Sequence, residues 1–304
     1  MKKKIEIVIL LAVILGLGAY LLLKRTDRVH YEVPELHKVD TAAITSIEIS
    51  SAGQGVLLTR KGKDWTVGPE GFPADSRKVE KMLRSISALT LTDLVSDSKN
   101  YGRYELGDKE KVTVKASEGT RVIRQVDIGK AAPSGRHAFV MVPGYGNVYQ
   151  AVEVYREDFQ GNEASFRDRR VLSFPVDDIA RVSIVTGRTT AVLTKQEPKD
   201  KPGTPASWVD KAGREAPKDE VDLLLSSLSS LECSEFLDDL KKESLVSPEV
   251  TITLTGSSEH TFSLYSKREG RTPAVSSGSP YVFTLQDYRL EAIRKAANQM
   301  MGKK

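Results

Sequence analysis

The longest uninterrupted apolar run of the chain spans residues 7–23, at the N-terminus. Three lysines (Lys2 to Lys4) precede it, and Lys24 and Arg25 follow it. In an α-helix, about seventeen residues rise about 25 Å, close to the thickness of the hydrocarbon core of a bilayer. The pattern predicts a transmembrane helix within residues 1–25 that ties the rest of the protein to a membrane.

An uncleaved signal anchor is favoured over a cleaved signal peptide, because leucines and two cations stand where a cleavage site needs small residues. A buried core helix is the third interpretation, but the run is apolar on every face. The charge bias across the run is small, and long downstream domains are translocated largely regardless of charge. We therefore expect a single-pass protein of the inner (cytoplasmic) membrane with a large periplasmic domain.

The charge outside the anchor is balanced. Of 45 Lys and Arg residues and 41 Asp and Glu residues, five cations and one acid lie in residues 1–25, which leaves 40 of each in the remainder. A nucleic-acid-binding domain normally carries a basic surface. The sequence therefore argues against nucleic-acid binding.

Two amphipathic helices repeat one apolar pattern at a constant offset. The segments 75–89 and 217–231 both place apolar residues at i, i+3, i+4, i+7 and i+10, the spacing of a single helical stripe. Asp75 and Asp219 are expected to be their N-caps. The matched positions, all 142 residues apart, are Val79, Met82, Leu83, Ile86 and Leu89 with Val221, Leu224, Leu225, Leu228 and Leu231.

The segments that flank these helices also repeat, with alternation typical of strands. Segment 44–49 matches 179–184 at an offset of 135, and 111–114 matches 249–252 at 138. Trp65 and Trp208 precede the two helices and are expected to pack beneath them. The drifts in offset fall where loops are expected, as in a duplication.

The chain is therefore predicted to be an α+β protein with two tandem repeats after the anchor. Each repeat is expected to be an antiparallel sheet with one main amphipathic helix, a layered α+β arrangement. Two or three strands should precede the helix and about four should follow it. The predicted divisions are an anchor (1–25), a tether (26–40), a first repeat (41–160), a joint (161–177) and a second repeat (178–304).

The order of several loose motifs resembles a family known as a domain of unknown function, DUF4340. The motifs are a strand ending in Leu57–Gly62 with Trp65 after it, a helix opening at Ala74–Asp75, and the joint Phe166–Leu172. The segment at Tyr101–Gly102 departs from the family pattern because it lacks a proline. The resemblance implies a bacterial envelope protein associated with ABC-transporter components like those of the gliding-motility auxiliary system. It implies no catalytic residues.

No catalytic or cofactor motif stands out in the sequence. The four histidines (His30, His37, His137 and His260) are dispersed, Cys233 is alone, and no phosphate-binding loop or nucleophile elbow occurs. We predict no metal or cofactor. Arg167, Arg169 and Arg170 could grip an anionic partner group, but the favoured alternative is that they pair with Asp168, Asp177 and Asp178 and fix the angle between the repeats.

The expected function is that of a non-enzymatic accessory subunit that binds an ABC-transporter permease, its ATPase or another envelope protein. One alternative is a membrane-tethered hydrolase of envelope polymer. A second is a ligand or lipid carrier that uses the cleft between the repeats. An open sheet edge could also accept a partner strand. Carboxylates near the helix ends are the hydrolase candidates: Asp93, Asp97, Asp238 and Asp239.

Overall fold

The structure, a computed structural model, describes residues 12–20, 33–133, 135–196 and 206–301. Residues 12–20 are helical, and the rest of the predicted anchor lies outside the described residues. Among the described residues, no helix has the length and apolar character needed to cross a bilayer. The chain divides into two compact units at Glu163 and Ala164, a boundary inside the residues predicted as the joint.

The described residues of unit 1 from 33 onward form a nine-stranded antiparallel sheet with one long helix. The sheet has the strand order β4-β3-β2-β1-β6-β7-β8-β9-β5. The helix α1 spans Ser76–Ser87 and connects the two edges of the sheet, from β4 to β5. The strands are β1 (Ser46–Ser51), β2 (Gln54–Lys61), β3 (Asp64–Val67), β4 (Phe72–Pro73), β5 (Thr90–Ser96), β6 (Val112–Glu118), β7 (Arg121–Ala131), β8 (His137–Met141) and β9 (Val148–Val152).

Unit 2 contains an eight-stranded antiparallel sheet of order β13-β12-β11-β16-β17-β18-β19-β15 and a separate pair, β10-β14. A single helical turn, α2 (Glu163–Phe166), lies at the unit boundary. The longer helices are α3 (Lys218–Ser229) and α4 (Asp287–Met300). The strands are β10 (Arg170–Ser173), β11 (Arg181–Thr186), β12 (Thr189–Gln196), β13 (Ser207–Val209), β14 (Ser230–Glu232), β15 (Glu235–Phe236), β16 (Val250–Thr255), β17 (Glu259–Leu264), β18 (Ala274–Ser276) and β19 (Phe283–Thr284).

The two sheets resemble each other as repeats of one topology. When β1–β3 and β5–β9 are matched with β11–β13 and β15–β19, both sheets have the same strand order, and β4 is the only strand of the unit 1 sheet left over. The registers match as well. Ile47 lies between Leu58 and Ala116, and Val182 lies between Leu193 and Leu254, at the offsets of 135 and 138 read from the sequence. The predicted α+β class and internal repetition are confirmed.

Both tryptophans are buried. Trp65 is 8 % exposed and Trp208 is 4 % exposed. Trp208 belongs to one apolar cluster with the core-facing leucines of α3, so its predicted place beneath the helix is confirmed.

The two predicted helix caps have different outcomes. The carboxylate of Asp75 accepts hydrogen bonds from the backbone N–H groups of Arg77 and Lys78, at 2.9 and 3.3 Å, and caps α1 as predicted. The prediction for Asp219 is wrong, because α3 begins one residue after Pro217, which occupies the N-cap position without a side-chain bond. Asp219 lies in the first turn, where its negative charge still complements the helix dipole.

Unit 2 carries a second long helix that the prediction of one main helix per repeat omitted. Helix α4 follows β19 and buries Leu290, Ile293, Ala296 and Ala297. Two of these are alanines, which weaken the apolar stripe in the sequence. The corresponding chain after β9 forms two short pieces instead, a 3-10 turn (Arg156–Phe159) and the helical turn α2 (Glu163–Phe166).

The described part of the predicted tether lies against unit 1. Arg124, which is 9 % exposed, donates a hydrogen bond from Nη2 to the carbonyl of His37. Burial lowers the pKa of the Arg124 guanidinium. Ser87, at the end of α1, donates from Oγ to the carbonyl of Val39. The chain is therefore fixed to the unit before β1 begins.

Replacing Asp75 by alanine should lower the free energy of unfolding by about 1 kcal/mol, because two N–H groups lose their side-chain acceptor. Asp219→Ala is the matched control, since it removes an acidic side chain from α3 that caps nothing. We expect it to cost about half as much or less. Urea unfolding followed by circular dichroism measures both, and equal losses would contradict the assignment of Asp75 as the cap.

Candidate functional site

The arginines singled out in the sequence lie at the start of unit 2, and Arg167 is the most buried of them. Its side chain is 3 % exposed, and Nη1 donates to Oδ2 of Asp238 at 2.6 Å. The guanidinium carbon lies 4.0 Å from the ring centroid of Phe236 and 5.0 Å from that of Tyr281. Stacking on aromatic faces and pairing with a carboxylate are both interactions that suit a planar guanidinium.

The β15–β19 edge of the sheet positions these partners of Arg167. Phe236 is in β15 and pairs with Phe283 of β19, and Tyr281 lies two residues before Phe283. The rings of Phe236 and Tyr281 meet edge to face with centroids 5.7 Å apart. The backbone N–H of Leu237 donates to the carbonyl of Val282, which continues the pairing toward Asp238.

The other two arginines are more exposed. Arg170 makes a bidentate pair with Asp168, through Nε at 3.3 Å and Nη2 at 2.9 Å. Arg169 makes no ion pair with any described residue, and its carbonyl accepts the backbone N–H of Cys233 at 2.9 Å. Of these three arginines, Arg169 is the exposed one that makes no ion pair with a described residue.

Of the predicted pairings with Asp168, Asp177 and Asp178, the structure shows that of Arg170 with Asp168. Arg167 pairs with Asp238, a residue 71 positions away, and nearness in sequence cannot indicate this partner. Asp178 accepts a hydrogen bond from Ser257, and the carbonyl of Asp177 accepts one from Lys195.

Two further cations lie near this edge and are also bonded. Arg271 pairs with Asp239 at 3.1 Å. Lys242 donates from Nζ to the carbonyls of Ser276, at 2.7 Å, and Ser279. Burial lowers the pKa of the Lys242 amine, and the nearby charge of Glu243 opposes this shift only in part. These side chains hold loops together through their charges.

The carboxylates considered for hydrolysis do not share one arrangement. Asp238 and Asp239 each pair with an arginine. Asp93 is exposed in β5, Asp97 follows that strand, and neither makes an ion pair with a described residue. Within the described part of the chain, no group of three His, Cys, Asp or Glu residues could hold a metal ion.

Phe236, Tyr281 and Asp238 are the members of this site that sequence reasoning did not connect with Arg167. The repeat offset of 142 offered a partial signal, because it places Phe236 opposite Leu94 and Asp238 opposite Ser96. An aromatic ring and a carboxylate that appear in one repeat alone mark a local specialisation of unit 2.

Cys233 is a core residue. It follows β14, and it is 4 % exposed within the main apolar cluster of unit 2. Burial raises the pKa of its thiol to about 12. Only the thiolate is a good nucleophile, so this cysteine is inert at neutral pH.

Unit 1 contains an open cleft of about 690 Å³ between the end of α1 and the chain after β9. Its walls carry both signs of charge. The charged residues that line it are Lys38, Lys81, Arg84, Glu153, Glu157 and Asp158.

The model of the family described as "Domain of unknown function (DUF4340)" matches residues 65–248, well over half of the chain. The chain belongs to the DUF4340 family. The matched range covers most of β3, strands β4 to β9 and α1 of unit 1, and it reaches into unit 2 as far as β15 and the residues before β16. No curated protein and no solved structure gives a significant match to this DUF4340 protein.

Asp238→Ala should destabilise the protein by about 1–3 kcal/mol, because it deprives the buried Arg167 guanidinium of an acceptor. Asp239→Ala is the matched control, since Asp239 is 56 % exposed and its partner Arg271 is 35 % exposed. Its cost should stay below about 1 kcal/mol. Chemical denaturation of the two variants measures the difference, and an Asp238 variant as stable as its neighbour would contradict a structural role for this pair.

Cys233 should react at least a hundredfold more slowly with a disulfide reagent in the native protein than in 6 M guanidinium chloride. Burial keeps the sulfur protonated and shielded, whereas the unfolded thiol has an ordinary pKa of about 8.5. Absorbance of the released thiolate at pH 8 follows both reactions. Similar rates in the two states would show that Cys233 is accessible.

Proposed function

We propose that this DUF4340 protein is a membrane-anchored, extracytoplasmic accessory subunit of an ABC-type envelope transport complex. It binds partner proteins through its duplicated α+β region and catalyses no reaction itself. The observation that carries the membrane part of this proposal is the exposure of the helical residues 12–20. Large apolar side chains there are more than half exposed, namely Val13, Ile14, Leu15, Leu17 and Tyr20.

A helix with exposed apolar side chains of this size needs an apolar environment around it. The run from residue 7 to residue 23 extends this segment to the length of a bilayer core in the sequence. A bilayer of the inner membrane supplies the environment, with the N-terminus on the cytoplasmic side and both units outside.

The sheet is repeated in both units, but the site formed by Arg167 and its partners is found in unit 2 alone among the described residues. This difference supports a binding role. Both units keep one strand order and one set of registers. Leu94 and Ser96 stand in unit 1 where Phe236 and Asp238 hold Arg167 in unit 2. What the duplication preserves is therefore a rigid frame, while the surfaces differ between copies and suit different partners.

The expected partner is the permease or the ATPase of an ABC transporter, from the family resemblance noted in the sequence. The balanced charge outside the anchor fits a protein partner better than a nucleic acid or an anionic polymer. Arg169 contributes an available cation at the surface of unit 2 for such a contact.

The test is purification of the full chain from native membranes in mild detergent, followed by mass spectrometry of what accompanies it. We expect an ABC permease or its ATPase at comparable stoichiometry. Recovery of the protein alone, under conditions that preserve a known membrane complex, would overturn the accessory-subunit role.

The anchor has its own variant pair. Leu15→Glu combined with Leu17→Glu should move the protein out of the membrane fraction, because each charge at the centre of a spanning helix costs about 2.5–3.5 kcal/mol. Leu223→Glu combined with Val246→Glu is the control, since both residues are exposed in unit 2. Membrane fractionation after an alkaline wash distinguishes the two, and retention of the first pair would contradict the anchor.

A further inference from the structure

Strand β12 is paired along only part of one side. On one side β11 accompanies it from Thr189 to Thr194. On the other side β13 pairs only with the stretch Thr194–Gln196. Among the residues that the structure describes, the stretch Thr189–Leu193 therefore has a neighbouring strand on one side only.

The register identifies which backbone groups face the open side. The N–H of Lys195 donates to the carbonyl of Ala180, toward β11. Every second residue before Lys195 therefore also directs its N–H and C=O groups toward β11. Thr190 and Val192 lie between these positions and direct their N–H and C=O groups away from β11. No described backbone group bonds to these four groups.

Open space lies directly beside this edge. A groove of about 520 Å³ runs between Thr189–Leu193, the turn at residues 210–217 and the end of α4. Ala216 and Met300 line the groove and pack against the core of unit 2, so they give it an apolar floor.

The charges at the rim of the groove cancel. Asp210 and Arg214 pair at 2.8 Å, and Lys211 and Glu215 carry opposite charges. The groove therefore selects an uncharged segment. Its apolar floor selects apolar side chains, and the backbone edge selects an extended chain.

The matching edge of unit 1 is more fully covered. Leu57 corresponds to Val192 at the offset of 135, and its carbonyl accepts the N–H of Gly68 at 2.9 Å. In unit 2 the turn after β13 bonds within itself. The N–H of Asp210 donates to the carbonyl of Arg214, and the Asp210 carboxylate accepts from the N–H groups of Ala212 and Arg214.

We propose that the open edge of β12 binds an extended segment of a partner protein by β-strand addition. The segment pairs its main chain with Thr190 and Val192 and places an uncharged apolar side chain, at every second position, over Met300 and Ala216. Main-chain bonds supply the affinity in this mode, and the alternate side chains supply the specificity. The inference rests on the proposed role as a partner-binding subunit and assigns that role a surface.

The test uses the purified full chain in mild detergent and a fluorescein-labelled nine-residue peptide of alternating valine and threonine. Fluorescence anisotropy should show saturable binding. Thr190→Pro should weaken it at least tenfold, because proline has no N–H to donate to the peptide. Thr190→Ala is the matched control, since it keeps the main chain and should change the dissociation constant less than twofold.

The proline is compatible with the fold because the N–H of Thr190 points away from β11, a position at which edge strands accept proline. Hydrogen exchange of the unaltered chain provides a second readout that needs no substitution. Binding of the peptide should slow exchange in the segment containing Thr190 and Val192.

Absence of saturable binding, equal affinity of the two variants, or protection elsewhere in the chain would overturn the inference. Concentration-dependent dimers that Thr190→Pro abolishes would also overturn it, by assigning the edge to a second copy of the chain. The outcome is separate from that of co-purification. If the chain co-purifies with a transporter subunit but binds no peptide, this inference is wrong and the proposed function is unaffected.

Discussion

The pairing of one central strand on both of its sides is the constraint on which each unit depends. In unit 1, β1 lies between β2 and β6, and the buried side chains of Ile47 and Ile49 occupy one face of it. In unit 2, β11 lies between β12 and β16 and presents Val182 and Ile184 in the same way. Side chains alternate along a strand, so a slip of one residue would turn both pairs out of the core. The helix of each unit has an apolar sheet face to pack against only if these strand registers are kept.

Two glycines show how closely neighbouring backbone segments pack against the two sheets. A Cβ atom on Gly256, in the turn between β16 and β17, would lie 2.0 Å from the carbonyl oxygen of Asp178. One on Gly129 of β7 would lie 2.2 Å from the carbonyl oxygen of Tyr104. Neither contact tolerates a side chain, so in each unit the backbone of a preceding segment rests directly on the sheet. The sheets therefore fix the course of the loops that carry the polar residues.

The parts of the fold that repeat locally in sequence could be predicted, and the parts that depend on distant contacts could not. The offsets of 135 and 138 between the repeated sequence segments agree with the strand registers of the two sheets. They are visible in the sequence because buried and exposed residues alternate along each strand. The alanines of α4 buried too little apolar surface to stand out. The partner of Arg167 lies 71 residues away, and only the pairing of β15 with β19 brings Asp238 and Tyr281 to it. Open sheet edges leave no pattern at all, because an unpaired N–H belongs to the backbone of any residue.

The segment that contains His37 and Val39 lies in the chain between the proposed anchor and β1, and it is bonded to unit 1. Arg124 and Ser87 hold the carbonyls of His37 and Val39 against the unit. Between Arg25 and His37 the chain can reach at most about 40 Å even when fully extended. With the anchor in a bilayer, the point at which unit 1 holds His37 therefore stays within that distance of the membrane surface. A partner embedded in the same membrane then meets unit 1 at a restricted height, which reduces the freedom lost on binding. In the proposed role, fixing this segment to the sheet would therefore aid recognition without any contact with the partner.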